Sequence, residues 1–460
     1  MIKNLTVGPP TRLIVLFALP LLIGNVFQQL YAFTDAAVVG RMLGVDALAS
    51  VGAAGSLQFL LLGFTFGASG GMAIPVARAF GAGDLSGMRR YVAAGVMIAG
   101  GIAVMVTMIG VFFARPLLQL LDTPHTLIGN STAFLAITFS GAAVTMAYNF
   151  LAATIRALGD SRTPLIFLII ACVLNAGLVV LFIGAFHLGV GGAALATVVA
   201  QAVSVIACLV LIVKRMPALR LRRADFQLRD GEFAEVARMG LTMGFQMSVI
   251  AVGALVLQYA INGLGTEGVA AATAAMRVDQ FATQPLASFG LAMATFVAQN
   301  RGAGQWLRIR TGVFRISLVT WGVALLLGVG VILGGTPLVR LFIGDGDDHV
   351  VALAHQYLMI SGSLYVILAS LFVLRNTIQG LGSTSVPTIA GAMELVLRAV
   401  AGLVLVAHFG FVGVCLAGPL AGLGGLAPVA IAWFRKRREL VDGRLTDDRI
   451  EQELPALAAA

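Results

Sequence analysis

One carboxylate of this sequence lies inside a hydrophobic run that is long enough to cross a membrane. The segment "IGNVFQQLYAFTDAAVVGR" (Ile23–Arg41) contains Asp35, and no Lys, Arg or His precedes Arg41 in it. Ionisable side chains inside a membrane usually pair with one another or carry function. We therefore expect Asp35 to bind a proton or a cation, and the alternative is a structural hydrogen bond.

Other polar side chains could assist this carboxylate. Helical spacing places four residues on one face of the segment, namely Gly24, Gln28, Tyr31 and Asp35. The Gln28 amide and the Tyr31 hydroxyl are able to donate hydrogen bonds to a carboxylate. Two amides in later hydrophobic runs, Asn149 and Asn175, are further candidates, although asparagine also joins membrane helices without any other role.

The same helix contains two residues that could let it bend. Pro20 interrupts the backbone hydrogen bonding of a helix and favours a kink. Gly24 follows it by about one turn. We expect any bending of the first helix to occur at these two residues.

A second set of ionisable residues falls in the hydrophobic runs of the second half of the chain. It comprises Arg277, Asp279, Arg375, Glu394 and Arg398. Glu394 and Arg398 are four residues apart and could form an ion pair along one helix. We expect this set to be a structural network of salt bridges and hydrogen bonds that stiffens the C-terminal half.

The elements that carry these residues are membrane helices. Hydrophobic residues make up 59% of the 460-residue chain and charged residues only 11%, whereas about 25% of an average soluble protein is charged. Crossing a hydrocarbon core takes about 20 helical residues. Twelve runs are long enough, at 12–38, 47–76, 91–113, 129–155, 163–186, 189–213, 238–262, 268–298, 311–334, 352–379, 386–408 and 411–434. The first shows no small-residue cleavage site, so we expect it to be retained.

The basic residues indicate how the chain is oriented. The formal net charge is +9. When the loops are assigned alternately to two faces, 24 of the 30 Lys and Arg residues fall on one face and three on the other. This positive-inside pattern predicts that both termini are cytoplasmic. The loops are short and lack interleaved aromatic residues, so we expect no nucleic-acid partner.

Neither a metal site nor a cofactor is expected. Cys172, Cys208 and Cys415 each lie in a hydrophobic run without CxxC spacing, and apolar packing is their predicted role. The acidic segment "GDGDD" (Gly344–Asp348) lacks the later glutamate of a calcium loop and is predicted to be a solvated outer loop.

The chain contains an internal repeat. "VARAFGAG" (Val76–Gly83) returns as "VAQNRGAG" (Val297–Gly304), and "RALGDSRTP" (Arg156–Pro164) returns as "QGLGSTSVP" (Gln379–Pro387). Six predicted helices separate the copies, and because six is even the halves have parallel topology. Such repeats are typical of secondary transporters, which bind substrate between the halves and work by alternating access.

This repeat defines the predicted domains. They are an N-terminal six-helix lobe (1–213), a cytoplasmic linker (214–237), a C-terminal six-helix lobe (238–436) and a cytoplasmic tail (437–460). Within the first lobe Gly63, Gly67 and Gly71 recur every four residues. This spacing predicts a smooth helix face for close approach to a neighbouring helix.

Five motifs together resemble those of the multidrug and toxin extrusion (MATE) family of transporters. They are "LPLLIGNVFQQLYAFTDAAVVGRMLGVDALA", "NFLAATIRALGDSRTP", "MRVDQFATQP", "TFVAQNRGAG" and "NTIQGLGSTSVP", and the likeness runs from about Leu13 to Arg435. The resemblance implies an all-α protein of twelve transmembrane helices in two six-helix lobes that form a V-shaped cavity. It also implies export of organic, often cationic, compounds driven by entry of protons or sodium.

The sequence is most similar to the DinF-like branch of that family, in which a carboxylate of helix 1 is the coupling residue. Asp35 matches this carboxylate, and Gln28 matches a polar neighbour on the same helix. Asn149 and Asn175 match asparagines of helices 4 and 5. The resemblance therefore implies that these residues form the site for the ion and the substrate.

Two departures from the family pattern bear on the coupling ion. Many members of the DinF-like branch carry a second Asp on helix 5, where this chain has Val179. The NorM-like branch uses acids on helices 7 and 10, and the corresponding runs of this chain contain neither Asp nor Glu. Proton coupling through Asp35 alone is therefore the favoured expectation, with sodium coupling as the alternative.

Other functions fit the residues less well. A flippase of lipid-linked sugars, which has related architecture, would need a cavity rich in Arg and Lys, and the first lobe supplies none. An intramembrane hydrolase would need a paired catalytic set, whereas the five histidines lie at or near predicted outer helix ends or loops, at His125, His187, His349, His355 and His408. A sensor would be expected to carry a soluble output domain, and none is visible.

The expected protein is thus a transporter and not an enzyme. We expect a monomer that spans the bacterial inner membrane many times. Its expected partners are the lipid bilayer, small amphipathic organic substrates and protons, or sodium in the alternative.

Overall fold

A computed structural model describes residues 4–121, 123–229, 231–344 and 347–442. Regular structure within these ranges is entirely helical. Ten of the described helices are long and apolar enough to cross a membrane, and two pairs of helices, each bent at a short break, raise the number of spans to as many as twelve. The predicted all-α membrane architecture is confirmed.

The first repeat contains seven helices and ends in the polar connection. Their bounds are α1 (Pro10–Leu43), α2 (Val45–Gly81), α3 (Leu85–Leu120), α4 (His125–Ser140), α5 (Ala142–Ala157), α6 (Arg162–Val180) and α7 (Gly189–Arg215). The α4 and α5 helices form one bent pair, with an angle of 48° at Gly141. A π-helical turn, Leu181–Ala185, continues α6.

The second repeat follows the same order. Its helices are α8 (Glu232–Asn262), α9 (Gly265–Gly302), α10 (Trp306–Ile343), α11 (Asp348–Ser363), α12 (Tyr365–Gly380), α13 (Ser385–Val400), α14 (Val406–Phe409) and α15 (Phe411–Asp442). The α11 and α12 helices form the second bent pair, at 50°, and a π-helical turn, Ala401–Leu405, follows α13. The predicted tail (437–460) continues α15 as far as Asp442, and the rest of it lies outside the described residues.

The backbone repeats as well as the sequence. Among the described residues, ten of the eleven glycines with positive φ form five pairs at matching positions of the two repeats, namely Gly8 and Gly231, Gly44 and Gly265, Gly83 and Gly304, Gly159 and Gly382, and Gly189 and Gly410, and Gly344 is the eleventh. The φ angles of Gly159 and Gly382, for example, are 83° and 80°. Side chains other than glycine rarely adopt this conformation, so the turns of the second half are built in the same way as those of the first.

The contacts within the chain define two compact units whose bounds differ from the predicted lobes. Among the described residues, unit 1 contains Asn4 and Ile23–Ser248, and unit 2 contains Leu5–Leu22 together with the residues from Val249 to Asp442. The change of unit therefore falls inside α1 and inside α8. The prediction followed the order of the chain, whereas each long helix packs its two halves separately.

The first half of α1 is held in unit 2 by apolar packing and by backbone anchoring. Ile14 and Phe17 are buried in a core cluster that also contains Phe296 of α9. The backbone N–H of Leu5 donates to Gln299 Oε1 at 2.9 Å. Van der Waals packing of such side chains, together with hydrogen bonds between helices, stabilises helix association in a membrane.

The predicted linker is anchored within unit 1. Three ion pairs join it and the start of α8 to α2 and α3: Arg78 Nη1 to Glu235 Oε1 at 2.8 Å, Arg89 Nε to Asp225 Oδ1 at 3.3 Å, and Arg90 Nε to Glu232 Oε1 at 2.8 Å. Two short 3₁₀ turns, Pro217–Leu219 and Arg223–Phe226, lie between α7 and α8. The connection is therefore structured and belongs to unit 1.

The glycine face of α2 is used at two of its three positions. A Cβ atom at Gly71 would lie 2.3 Å from the Met239 carbonyl oxygen of α8, and one at Gly67 would lie 2.5 Å from that of Met243. A Cβ atom at Gly63 would meet nothing within 4 Å. The close approach of α2 to the first half of α8 therefore requires Gly67 and Gly71.

The α3 helix begins with a hydrogen-bonded cap. The Asp84 side chain accepts a hydrogen bond from the Gly87 N–H at 2.8 Å, and the Ser86 hydroxyl donates to it at 2.7 Å. The hydrogen bond from the Gly87 backbone, followed by that from Ser86, lowers the pKa of Asp84 below its ordinary value. The cap satisfies one of the free N–H groups at the start of the helix.

Candidate functional site

Asp35 is bound by two neutral donors from other helices of unit 1. Asn175 Nδ2 of α6 donates to Asp35 Oδ1 at 2.5 Å. Thr197 Oγ1 of α7 donates to Asp35 Oδ2 at 3.3 Å. Asp35 forms no ion pair with any described residue. The carboxylate thus lies among α1, α6 and α7 without a protein cation to neutralise it.

Thr197 is the member of this site that the sequence analysis missed. Its hydroxyl also donates to the Ala193 carbonyl, one turn earlier in α7, at 3.2 Å. Many threonines in membrane helices make this local bond, so the residue type gives no signal by itself. The position of α7 beside α1 is what makes Thr197 a ligand of the carboxylate.

Two further polar atoms at this site are buried. They are the Tyr31 hydroxyl, one turn before Asp35 on α1, and Asn175 Oδ1. The Tyr31 hydroxyl lies beside the Thr197 hydroxyl, and Asn175 Oδ1 accepts no hydrogen bond from a described residue. A hydroxyl and an amide oxygen next to a carboxylate are able to stabilise a bound proton or a small hydrated cation.

The other two predicted site residues are not joined to the carboxylate. Gln28 is exposed, and Asn149 of α5 is partly buried. No described residue forms a hydrogen bond with either of them. The helical spacing that grouped Gln28 with Asp35 holds for α1, but the partners of Asp35 come from α6 and α7 instead.

The two residues predicted to allow bending lie at a boundary within α1. Pro20 is inside the continuous helix, and Leu22 and Ile23 belong to different units. A Cβ atom at Gly24 would contact only Leu165 and Leu168, at 3.8 and 3.6 Å. The proline therefore lies within three residues of the point where α1 passes from unit 2 to unit 1.

The ionisable residues of unit 2 pair differently from the expectation. Glu394 Oε1 forms an ion pair with Arg375 Nη2 of α12, and both residues are buried. The predicted pair between Glu394 and Arg398 is not formed. The reason is that the Glu394 carboxylate is already bound to Arg375 of α12.

The remaining three residues of the predicted network are separate from this pair. Asp279 Oδ1 accepts hydrogen bonds from Ser361 Oγ at 2.9 Å and from the Tyr365 hydroxyl at 2.8 Å. Arg398 forms no hydrogen bond with a described residue, and its Nε is buried. Arg277 has an exposed side chain, because it lies two residues before Asp279 and so points to another face of α9.

The described ranges hold no candidate metal centre. Their residues contain no group of three or more His, Cys, Asp or Glu side chains that could hold a metal ion. Asp35 is therefore a single carboxylate surrounded by neutral oxygen and nitrogen atoms.

One family model and several named proteins match most of this chain. The MatE family model matches residues 20–181 and 243–404, once in each repeat. The "Probable multidrug resistance protein YpnP" of Bacillus subtilis is 30% identical over 382 residues, which cover 83% of this chain and 84% of that protein. The "DNA damage-inducible protein F" of Escherichia coli is 24% identical over 355 residues, or 74% of each chain.

The fold also matches solved structures. One is a multidrug resistance MATE family transporter of the MOP superfamily in an outward-facing conformation. The match has a TM-score of 0.86 and 18% sequence identity, and it covers 96% of this chain and 98% of that chain. At this identity the likeness shows the fold alone.

Proposed function

This chain belongs to the MatE family, and we propose that it is a secondary active antiporter that exports organic, often cationic, compounds in exchange for protons. Asp35 is the proposed coupling residue. The names of the relatives as multidrug resistance proteins support export of organic compounds. The residues around Asp35 support a role for a single carboxylate.

One observation carries the proposal. The Asp35 carboxylate lies in a helix apolar enough to span a membrane, and among the described residues its hydrogen-bond donors are the neutral side chains of Asn175 and Thr197. A salt bridge would fix the negative charge on such a carboxylate, whereas neutral donors leave its charge to be decided by an incoming proton or cation. This is the property that a coupling site needs.

The proposed cycle uses two charge states of Asp35. The ionised carboxylate attracts a cationic substrate through Coulomb interaction in a low-dielectric environment. A proton from the outer side neutralises the carboxylate and removes this attraction, so the substrate leaves outward. Release of the proton to the cytoplasm restores the charge, and bending of α1 near Pro20 and Gly24 accompanies the change of access.

The choice of the proton over sodium rests on the ligands present. Sodium has to lose much of its hydration shell to enter a site, and charged or carbonyl oxygens usually replace it. Val179, four residues after Asn175 on α6, is fully buried and contributes no oxygen from its side chain. A single carboxylate with a neighbouring amide and hydroxyls suits a proton better.

Transport by the purified protein in liposomes tests the proposal. We would measure the uptake of a fluorescent organic cation while imposing a pH gradient alone, a sodium gradient alone, and neither. Uptake driven by the pH gradient and independent of sodium is expected. Uptake that requires sodium at fixed pH would show that the proposed ion is wrong, and no uptake under any gradient would reject antiport of this compound class.

The proposed orientation has both termini in the cytoplasm of a bacterial cell, with the protein in the inner membrane as a monomer. The support is the excess of Lys and Arg on one face of the predicted topology. A reporter fused after Arg438, or inserted between Leu219 and Arg223, should report a cytoplasmic location. A periplasmic signal at either position would contradict the orientation.

A further inference from the structure

Unit 2 contains a cavity that the proposed coupling at Asp35 does not use. Its volume is about 310 Å³, which is at the lower end of the range for sites of small organic ligands. Hydrophobic side chains form most of its wall, and the polar side chains that line it are Gln258, Asp279, Tyr357, Ser361, Tyr365 and Arg398. One carboxylate and one guanidinium therefore line the same cavity.

The Asp279 carboxylate is held in place, but only one of its two oxygens accepts hydrogen bonds from the described residues. Both of its hydrogen bonds, from Ser361 and from Tyr365, go to Asp279 Oδ1. Asp279 Oδ2 accepts no hydrogen bond from the described residues. Asp279 forms no ion pair with them either. One oxygen of a hydrogen-bonded, partly buried carboxylate is thus available to a donor inside the cavity.

The guanidinium has no anionic partner. The nearest acid on its own helix is Glu394, which is paired with Arg375. No Asp or Glu oxygen of the described residues lies within 4.0 Å of an Arg398 nitrogen. Arg398 Nε is buried without any hydrogen bond. The Arg398 side chain as a whole is partly buried, and a charge without a partner in a membrane-spanning helix is costly unless a ligand or water uses it.

Arg398 has a counterpart in the first repeat, and that counterpart, Asn175, belongs to the site around Asp35. "VLNA" (Val173–Ala176) in α6 returns as "VLRA" (Val396–Ala399) in α13. Asn175 and Arg398 therefore occupy equivalent positions of the two repeats. Asn175 binds the Asp35 carboxylate, and Arg398 offers a positive charge at the corresponding place.

We propose that the cavity of unit 2 is a binding site for a small zwitterionic organic molecule, whose anionic group binds Arg398 and whose cationic group binds Asp279. A ligand with only a positive charge would leave Arg398 unpaired, and a ligand with only a negative charge would leave Asp279 unpaired. A zwitterion satisfies both. Because Asp279 and Arg398 share the cavity without touching, the two charges of the ligand should be separated by an apolar spacer such as an aromatic ring.

Three probes that share one ring test this proposal on the purified full-length protein. They are 4-(aminomethyl)benzoate, which is zwitterionic, benzylamine, which has only the positive charge, and benzoate, which has only the negative charge. Calorimetric titration should show that the zwitterion binds at least about tenfold more tightly than either single-charge probe, because a hydrogen bond to a charged group is worth about that factor. Equal affinities, or no binding of the zwitterion, would overturn the proposal.

Matched variants show which charge of the ligand binds Arg398 and which binds Asp279. Arg398→Gln should weaken the zwitterion about tenfold and leave benzylamine unweakened, and Asp279→Asn should weaken the zwitterion without weakening benzoate. Arg277→Gln is the control, since this arginine is exposed and lies only two residues from Asp279; it should bind all three probes like the wild type. Retained preference for the zwitterion in Arg398→Gln would overturn the proposal.

The binding site in unit 2 is independent of ion coupling. Asp35 is in unit 1, so Asp35→Asn should bind the zwitterion as the wild type does, even though we expect it to lose proton-driven transport. Loss of binding in Asp35→Asn would mean that the probe binds elsewhere than in the unit 2 cavity. If Arg398→Gln or Asp279→Asn fails to fold, the ranking of the three probes on the wild type still decides the proposal.

Discussion

Replacing Asp35 by asparagine removes the charge from the proposed coupling site and almost nothing else. Asparagine has the same shape, so its carbonyl oxygen can still accept a hydrogen bond from Asn175 Nδ2. The Thr197 hydroxyl can rotate and accept a hydrogen bond from the new amide. We therefore expect the stability of Asp35→Asn to stay within about 1 kcal/mol of the wild type.

The effect on transport should be large and can be calculated. Each unit of pH difference supplies about 1.4 kcal/mol per proton, or about a tenfold ratio of substrate concentration. With a gradient of about two pH units, a carrier that exchanges one proton for one monovalent cation sustains a ratio of about one hundred. Asp35→Asn cannot release or take up this proton, so its ratio should fall to about one.

The assay uses protein reconstituted in liposomes, with the final accumulation ratio as the readout. Asp46→Asn is the control, because Asp46 is an exposed carboxylate near the start of α2; it should behave as the wild type. Asp35→Glu should keep part of the activity with a shifted pH optimum, since the charge survives at a displaced position. Accumulation at the wild-type ratio by folded Asp35→Asn would refute the reasoning.

Three further predictions concern the framework. Glu394→Gln leaves Arg375 buried without a charged partner, so it should lower the stability in detergent by about 3–5 kcal/mol while the folded fraction still transports; full stability with lost transport would contradict a structural role. Gly71→Ala should be destabilising by about 1–3 kcal/mol, whereas Gly63→Ala should be neutral because nothing lies near it. Asp84→Ala should cost about 1 kcal/mol near pH 7. The folded-state pKa of Asp84 is lowered, so the stabilisation by the cap is present above the ordinary aspartate pKa of about 3.9 and is lost as the pH falls through the lowered pKa. The difference in thermal midpoint between wild type and Asp84→Ala should therefore shrink in acid. A difference that stays constant with pH would contradict the role of Asp84 as the cap.

Local patterns were sufficient for the class of the protein and for its repeat. Hydrophobic runs and the near absence of charges within them depend only on neighbouring residues, and a membrane excludes other structures from such runs. The motif around Asp35 was visible because a lone acid is conspicuous in an apolar segment. The turn at Gly159 and Gly382 was predictable in the same way, since a short motif is repeated around a residue that needs positive φ.

The partners that a side chain finds on other helices could not be predicted from these local patterns. Asn175 is 140 residues from Asp35 and Thr197 is 162 residues from it, and Asn175 was only one of two asparagine candidates. The spacing of Glu394 and Arg398 suggested a pair along α13, but the structure pairs Glu394 with Arg375 of α12. Spacing along one helix shows which residues share a face and does not show which helix covers that face.

The packing of helices within each unit determined which of these side chains meet. Whether Thr197 reaches Asp35, or Arg398 faces a cavity together with Asp279, depends on how each helix is rotated about its own axis. That rotation is fixed by many apolar contacts at once, such as those that hold the first half of α1 in unit 2. The sequence by itself therefore determined the membrane helices, their repeat and the lone acid, whereas only the tertiary structure determined the partners of each charge, because those partners meet through packing and not through proximity in the chain.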